Sequence, residues 1–232
     1  MLAQRLGNSI SNLPTANDSF SLVFTGTEYL TLDEAAAEFS ATRGTVSFWT
    51  KVDTMSSSGT VFRLAVDSNN YVQCLYHAGS NEMRFAYKGG GANRNAVITD
   101  AIENDGDWHH IMGTWYTSAD EIKIYLDGTL KDTTTGLGTF AGTAALFDIG
   151  QNTAAGNYYK GYVDEFSLFD TVKAIGDVYI ATREPINVTG VGGLAGYWKI
   201  EAGSGTTLYD SSAKDNNGSL VNTPAWKTDT PF

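Results

Sequence analysis

The stretch that decides the fold covers residues 121–128 and reads Glu-Ile-Lys-Ile-Tyr-Leu-Asp-Gly. Ile122, Ile124 and Leu126 occupy alternate positions, so their side chains share one face of an extended strand. The dipeptide Asp127-Gly128 follows directly and favours a type I′ hairpin turn, because both central residues of that turn need positive φ. The stretch therefore predicts a β-hairpin with one face to bury.

The same alternation recurs on both sides of this hairpin, at residues 46–52 and 83–88. Short runs rich in β-branched and aromatic residues, separated by turn residues, are typical of all-β proteins. Two sheets packed face to face give each such strand a buried side. Residues 33–39 and 170–182 favour short helices. We therefore predict an all-β, two-sheet antiparallel sandwich with one or two short helices.

Composition excludes several classes of partner. The 232 residues carry a formal net charge of −11, whereas nucleic-acid binders need a basic face, and an anionic membrane surface would repel such a chain. No apolar run approaches the ~20 residues of a membrane span. The one cysteine, Cys74, lies in an apolar run and is expected in the core. We expect neither a nucleic-acid nor a membrane partner.

The chain begins Met-Leu-Ala-Gln-Arg-Leu-Gly-Asn, which lacks the basic-then-apolar pattern of a secretory signal. We expect that the protein is not exported by that route. Residues 1–19 are interpreted as an N-terminal arm that precedes the first strand.

Four segments together carry a resemblance to a known family. Residues 105–115 read Asp-Gly-Asp-Trp-His-His-Ile-Met-Gly-Thr-Trp, and residues 123–128, 159–169 and 21–30 follow the same family pattern. In order and spacing over residues 20–182, they resemble laminin-G-like modules of the concanavalin A-like lectin/glucanase superfamily. The resemblance implies a jelly roll. It implies less about function, because this fold serves many functions.

The last part of the chain resembles the segment that normally opens such modules. Residues 194–206 and 210–221 carry this likeness, so the resemblance implies a cyclically permuted module. Because chain termini often lie close together, such a permutation costs little. We predict a single domain over residues 20–232, with residues 194–226 completing the sandwich. The alternative is the start of a second, truncated module.

No catalytic residues are predicted. Related glycanases carry acids at alternate positions of one strand, as Glu-x-Asp-x-Glu, and this pattern is absent. The acids Asp164 and Glu165 are adjacent, so a regular strand would point them to opposite faces. No serine, cysteine or histidine set resembles a nucleophile with its base. We therefore expect a protein that is not an enzyme.

The resemblance also implies one structural calcium ion, held by an acidic side chain and backbone carbonyls. Asp164 matches the family's acid, and the turn at Gly26 is expected to offer a carbonyl. The alternative is that Asp164 only accepts hydrogen bonds.

Sugar binding needs exposed aromatic side chains. Tyr116, Tyr158 and Tyr159 lie near predicted loops and are the candidate ligand-binding residues. Packing against another protein is the alternative role for them.

The function expected is that of a non-catalytic binding or structural module. Modules of this family without a signal sequence resemble those on tailed-phage virions. We therefore expect a capsid decoration or fibre protein with glycan adhesion. Its partners would be a glycan or other virion proteins, with homo-oligomerisation left open, and its location a virion or extracellular surface. The alternative is a lectin-like carbohydrate-binding module of a bacterial exported protein.

Overall fold

The fold is seen in a computed structural model that describes residues 18–100, 102–152, 156–182, 184 and 186–232. The predicted N-terminal arm, residues 1–19, lies outside the described residues apart from Asp18 and Ser19.

Sixteen strands of the described residues form two antiparallel sheets packed as a sandwich. The first sheet has the order β10-β9-β8-β3-β12-β1-β16, with β13 also paired to β12, and the second has the order β14-β15-β2-β11-β4-β5-β6-β7. The predicted all-β, two-sheet jelly roll is confirmed. The strands are β1 (Ser21–Thr25), β2 (Tyr29–Thr31), β3 (Arg43–Val52), β4 (Gly59–Ala65), β5 (Tyr71–His77), β6 (Glu82–Gly89), β7 (Ala92–Ile98), β8 (His109–Tyr116), β9 (Glu121–Leu126), β10 (Thr129–Thr135), β11 (Leu146–Ile149), β12 (Lys160–Phe169), β13 (Leu194–Trp198), β14 (Thr207–Leu208), β15 (Gly218–Val221) and β16 (Ala225–Lys227).

Helix is limited to short 3₁₀ turns in the part of the chain that the structure describes: Asp33–Glu38, Thr117–Ala119, Ile175–Asp177 and Val188–Gly190. The two segments expected to be helical each contain one of these turns. Such turns are common as short connectors, because their hydrogen-bond geometry does not favour long runs. None of the described helices is long and apolar enough to cross a bilayer.

Aromatic rings in contact with one another fill the space between the sheets. Phe166 of β12 stacks on Phe48 of β3 at 5.4 Å between ring centroids and meets Phe62 of β4 edge-on at 5.6 Å. Phe147 of β11 lies 5.8 Å from Trp198 of β13. Edge-to-face and offset-stacked arrangements of this kind stabilise a core beyond the area they bury.

The C-terminal segment adds strands to both sheets. β13 pairs with β12, β16 pairs with β1 and β15 pairs with β2. Trp198 at the end of β13 is fully buried in the same core as Val46 and Ile124. The C-terminal segment thus supplies the partners of β1, β2 and the second half of β12. Without these partners, the three strands would have open edges.

The outer faces of the two sheets differ. On the first sheet a second hydrophobic cluster forms, in which Val178 and Val188 cover Met112, Phe169 and Tyr197. The two hydrophobic clusters of the described residues are this one and the central core, so no comparable cover lies on the second sheet. The outer face of the second sheet carries no such apolar cluster among the described residues, and the side chains at its centre, Asp148, Arg63 and Gln73, are themselves buried.

Candidate functional site

The three predicted tyrosines do not form one site. Tyr116 is paired with Arg43 at one end of β3, whereas Tyr158 and Tyr159 precede Gly161, which pairs with Val52 at the other end. Nine residues of strand separate the two ends, or about 30 Å at ~3.3 Å per residue. A single sugar could not contact both groups.

Tyr159 is a core residue, so the prediction that it stacks on a sugar is wrong. It is fully buried, and its hydroxyl lies 2.6 Å from Thr50 Oγ1. Burial also raises the pKa of this hydroxyl well above its usual value. Successive side chains in an extended segment point to opposite sides, and here Tyr158 is the half-buried one, beside Thr60 at the rim of the second sheet.

Tyr116 is 37% exposed. It stands at the end of β8, directly between Arg43 on β3 and Glu121 on β9. Its ring is open to solvent on the first sheet, and its role as a ligand-binding residue stays a prediction.

Asp164 lies at the point of β12 where the pairing strand on one side changes from β1 to β13. Residues 160–163 pair with β1, and residues 166–169 pair with β13. The chain that enters β1 at Asp18 and the chain that leaves β13 at Glu201 both approach this point, since the Glu201 carboxylate accepts the backbone N–H of Ser19 at 3.0 Å. We call Asp18, Asp164, Glu165 and Glu201 the acidic seam.

The acidic seam contains carboxylate oxygens without a partner. Asp164 is fully buried; its Oδ1 accepts the N–H of Glu165 at 2.8 Å and its Oδ2 accepts nothing. Both carboxylate oxygens of Asp18 also lack a hydrogen-bond donor among the described residues. A buried carboxylate in this state is costly unless a proton or a cation neutralises it.

The pKa values of the seam reflect that cost. Burial, with the neighbouring Glu201 and Glu165, raises the pKa of Asp18 to about 8. Burial raises the pKa of Glu165 to about 7. For Asp164, burial and the charges of Asp18 and Glu165 raise the pKa well above its usual value. The seam therefore favours uptake of positive charge.

Gly26 is not part of this arrangement, so its prediction as a metal-binding residue is wrong. Thr25 pairs with Lys160, and the same register puts Ser21 level with Asp164. Gly26 thus lies five residues, or about 17 Å, along the strand from that point. Asp18 and Glu201, which the sequence did not indicate, are the acids beside Asp164.

A β-bulge corrects the expectation that Asp164 and Glu165 point apart. The pairing of β12 with β3 shifts by one residue between Asp164 and Ser167, and Glu165 has φ of 48°. A bulge inserts one residue and redirects its side chain. Glu165 accordingly accepts a hydrogen bond from the Tyr197 hydroxyl on the outer face of the first sheet.

A serine–histidine contact, which the sequence did not predict, lies near the seam. Ser47 Oγ and His110 Nε2 are 2.7 Å apart, and both residues are buried. Burial lowers the pKa of His110 to about 3, so the ring is neutral. Its Nδ1 has no partner, and the adjoining cavity under Tyr179 is only about 10 Å³. This space admits about one water molecule.

A row of mostly polar residues crosses the outer face of the second sheet. The strand registers bring its members side by side from β14 to β7. Each member alternates with core residues, so the row faces outward. With ~4.8 Å between strands, seven intervals span about 34 Å. We call this the polar row: Thr207, Ser219, Thr31, Asp148, Arg63, Gln73, Ala86 and Asn95.

The centre of the polar row is a fixed hydrogen-bond network. Arg63 donates from Nη1 to Gln73 Oε1 at 2.7 Å, and its guanidinium lies 4.0 Å from the ring of Tyr71. Gln151 donates to Asp148 Oδ2 at 3.0 Å. Burial raises the pKa of Asp148 to about 6. The alternation in β4 and β5 indicates that Arg63 and Gln73 face outward, but only the register shows that they are neighbours.

Comparison with known proteins agrees with the fold. The family described as the concanavalin A-like lectin/glucanases superfamily matches residues 24–177. Human neuronal pentraxin-1 is 28% identical over 174 residues, which is 70% of this chain and 39% of that protein. The chain spans well under half the length of the curated relatives it matches.

Two solved structures share the sandwich. A Bacteroides ovatus protein named as a candidate carbohydrate-binding protein superposes with a TM-score of 0.66 and 15% identity, over 90% of this chain and 60% of its own. The Ruminococcus gnavus IT-sialidase CBM40 bound to α2,6-sialyllactose superposes with a TM-score of 0.56 and 11% identity, over 67% and 95%. At these identities the likeness shows the fold alone. Because the family match covers residues 24–177 of the 232, the chain belongs to the concanavalin A-like lectin/glucanase superfamily.

Proposed function

We propose that this protein is a non-catalytic, lectin-like module that binds a glycan along the polar row. The observation that carries the proposal is the position of the row: hydrogen-bonding groups cross the outer face of the second sheet in register, and Thr207, Ser219, Thr31 and Asn95 among them are half-buried or exposed. A row of about 34 Å suits an extended oligosaccharide that crosses the strands.

The chemistry of the row suits sugar hydroxyls, each of which both donates and accepts a hydrogen bond. Arg63 is 5% exposed and donates to Gln73 and Asp67, so it holds the centre of the row in place. The half-buried Asn95 adds both donors and an acceptor, and the half-buried Thr31 adds a hydroxyl. Since the network already fixes the centre of the row, little conformational entropy is lost when a ligand binds.

The named sugar-binding neighbours support the class of ligand, since a module of the same fold is known bound to a sialylated sugar. The arrangement of acids supports a non-catalytic role. Retaining glycosidases need two carboxyl groups ~5–5.5 Å apart beside the substrate, whereas the acids of the seam are buried on the other sheet.

The experiment is a glycan array followed by calorimetric titration of each binding glycan. Thr31→Ala and Asn95→Ala remove half-buried members of the polar row. Each should weaken binding roughly two- to tenfold, the loss of one hydrogen bond of ~0.5–1.5 kcal/mol. Thr133→Ala, an exposed threonine on β10 of the first sheet, is the control and should bind normally. If the array shows no binding, or both row variants bind as tightly as wild type, the proposal fails.

A calcium ion in the acidic seam is a second proposal. Asp164 and Asp18 offer hard carboxylate oxygens without partners, which is the donor type that Ca²⁺ prefers. No three histidine, cysteine or acidic side chains within the described ranges stand as a ready-made metal site. Backbone carbonyls and water would therefore complete the shell, and the ion would supply the positive charge that the seam lacks.

The location on a virion or extracellular surface is also a proposal, and its basis is the sequence resemblance. Sedimentation of phage particles from the native source tests it. The protein should move with particles at high salt, and recovery in the soluble fraction alone would contradict a virion role.

A further inference from the structure

Tyr209 is the most exposed large hydrophobic side chain of the described residues, at 62% exposure. Its position is nevertheless fixed from both sides. Leu208 before it is buried in the core. Asp210 after it accepts the backbone N–H groups of Tyr197 at 3.0 Å, Ser212 at 2.8 Å and Asn216 at 2.9 Å. The ring is thus held open to solvent by an anchored turn.

Tyr209 forms one wall of a cleft of about 250 Å³ between the end of β13 and β14. Lys199 and Ser211 are also in the cleft lining, with the Lys199 ammonium 5.5 Å from the centroid of the Tyr197 ring, while Ile200 and Leu208 are apolar lining residues. Glu201 is a wall residue whose carboxylate is engaged by the N–H groups of Ser19 and Phe20. The cleft therefore combines one aromatic platform with a cation and a hydroxyl.

We infer that this cleft is a second binding site, separate from the polar row, for one neutral hexopyranose unit. The apolar face of the sugar ring lies on Tyr209, and its hydroxyls bond to the Lys199 ammonium and the Ser211 hydroxyl. A tyrosine held in place supplies contact area at low entropic cost. The volume is below the ~300–1,000 Å³ typical of sites for drug-sized ligands, so the cleft takes one sugar ring.

The test is a titration with the methyl glycosides of glucose, galactose and mannose, followed by amide chemical shifts. At millimolar sugar, the amide signals of residues 199–211 should move with at least one glycoside. Tyr209→Ala should weaken that binding at least about tenfold, and Tyr209→Phe should keep it because the ring remains. Leu130→Ala, which removes a 46% exposed side chain on β10 of the first sheet, should have no effect.

Two results would overturn the inference: no shift at residues 199–211 with any of these sugars, or unchanged binding by a folded Tyr209→Ala. The row variants Thr31→Ala and Asn95→Ala separate this inference from the proposed function. They should leave the monosaccharide titration unchanged, and if they abolish it the sugar binds on the polar row instead. If the glycan array finds no row ligand while Tyr209 responds, the proposed row fails and the cleft stands.

Discussion

Calcium should stabilise this protein through the acidic seam. If the folded state binds Ca²⁺ and the unfolded state does not, the free energy of unfolding rises by RT ln(1 + [L]/Kd), about 2.7 kcal/mol at a hundredfold excess over Kd. A domain of this size gains roughly 2–4 °C in melting temperature for each kcal/mol. The midpoint in millimolar Ca²⁺ should therefore exceed that in EDTA by roughly 5–10 °C.

Asp164→Asn locates the effect. The substitution keeps the volume of the side chain and removes its charge, so the calcium response should disappear. In EDTA the variant should melt at or above the wild-type temperature, because Asp18 and Glu165 lose a buried like charge beside them. Asp107→Asn, at an exposed turn, is the matched control and should respond like wild type. Mg²⁺ should stabilise less, since it demands octahedral geometry.

Differential scanning calorimetry with and without EDTA decides the matter. Equal midpoints for the wild-type protein in both conditions would refute calcium binding. Protons would then neutralise the seam, as the raised pKa values of Asp18 and Asp164 allow. A calcium response that survives Asp164→Asn would place the ion elsewhere.

Three further predictions concern stability. His109 lies 2.7 Å from Asp127 and 2.9 Å from Asp105; burial opposes protonation of the ring, but these carboxylates raise its pKa above 6.5. The contribution of His109 to the free energy of unfolding is therefore present below about pH 6.5 and lost as pH rises through the folded pKa. The melting curves of wild type and His109→Gln should converge at alkaline pH. Trp198→Ala should cost about 3–5 kcal/mol in urea unfolding, as loss of a buried tryptophan does. Tyr159→Phe should cost about 1 kcal/mol by the same assay, because one buried hydroxyl bond is lost.

The fold could be predicted because its signals are local. Strict alternation in residues 121–126 shows which side chains are buried, and Asp127-Gly128 fixes the turn that follows. In the structure Ile122 and Ile124 are fully buried, and both turn residues have positive φ, at 46° and 79°. Each signal depends on only a few neighbouring residues, so it can be recognised without knowing the order of the strands in the sheets.

The candidate site was harder to predict because its residues meet only through pairing. Arg63 and Gln73 are neighbours since β4 pairs with β5 in one register, and a shift of one residue would turn either side chain to the core. The bulge at Glu165 shows the same limit: an extra residue in a strand leaves no sign in the alternation until its partner is known. Asp18 and Glu201 are separated by most of the chain.

The two outer faces of the sandwich are stabilised in different ways. Met112, Phe169 and Tyr197 make the outer face of the first sheet apolar, and the chain covers them with Val178 and Val188; exposed, such a patch would promote association. The polar row needs no cover, because its buried groups satisfy one another. A glycan bound as proposed would therefore contact the half-buried and exposed members of the row, Thr207, Ser219, Thr31 and Asn95, without displacing part of the chain.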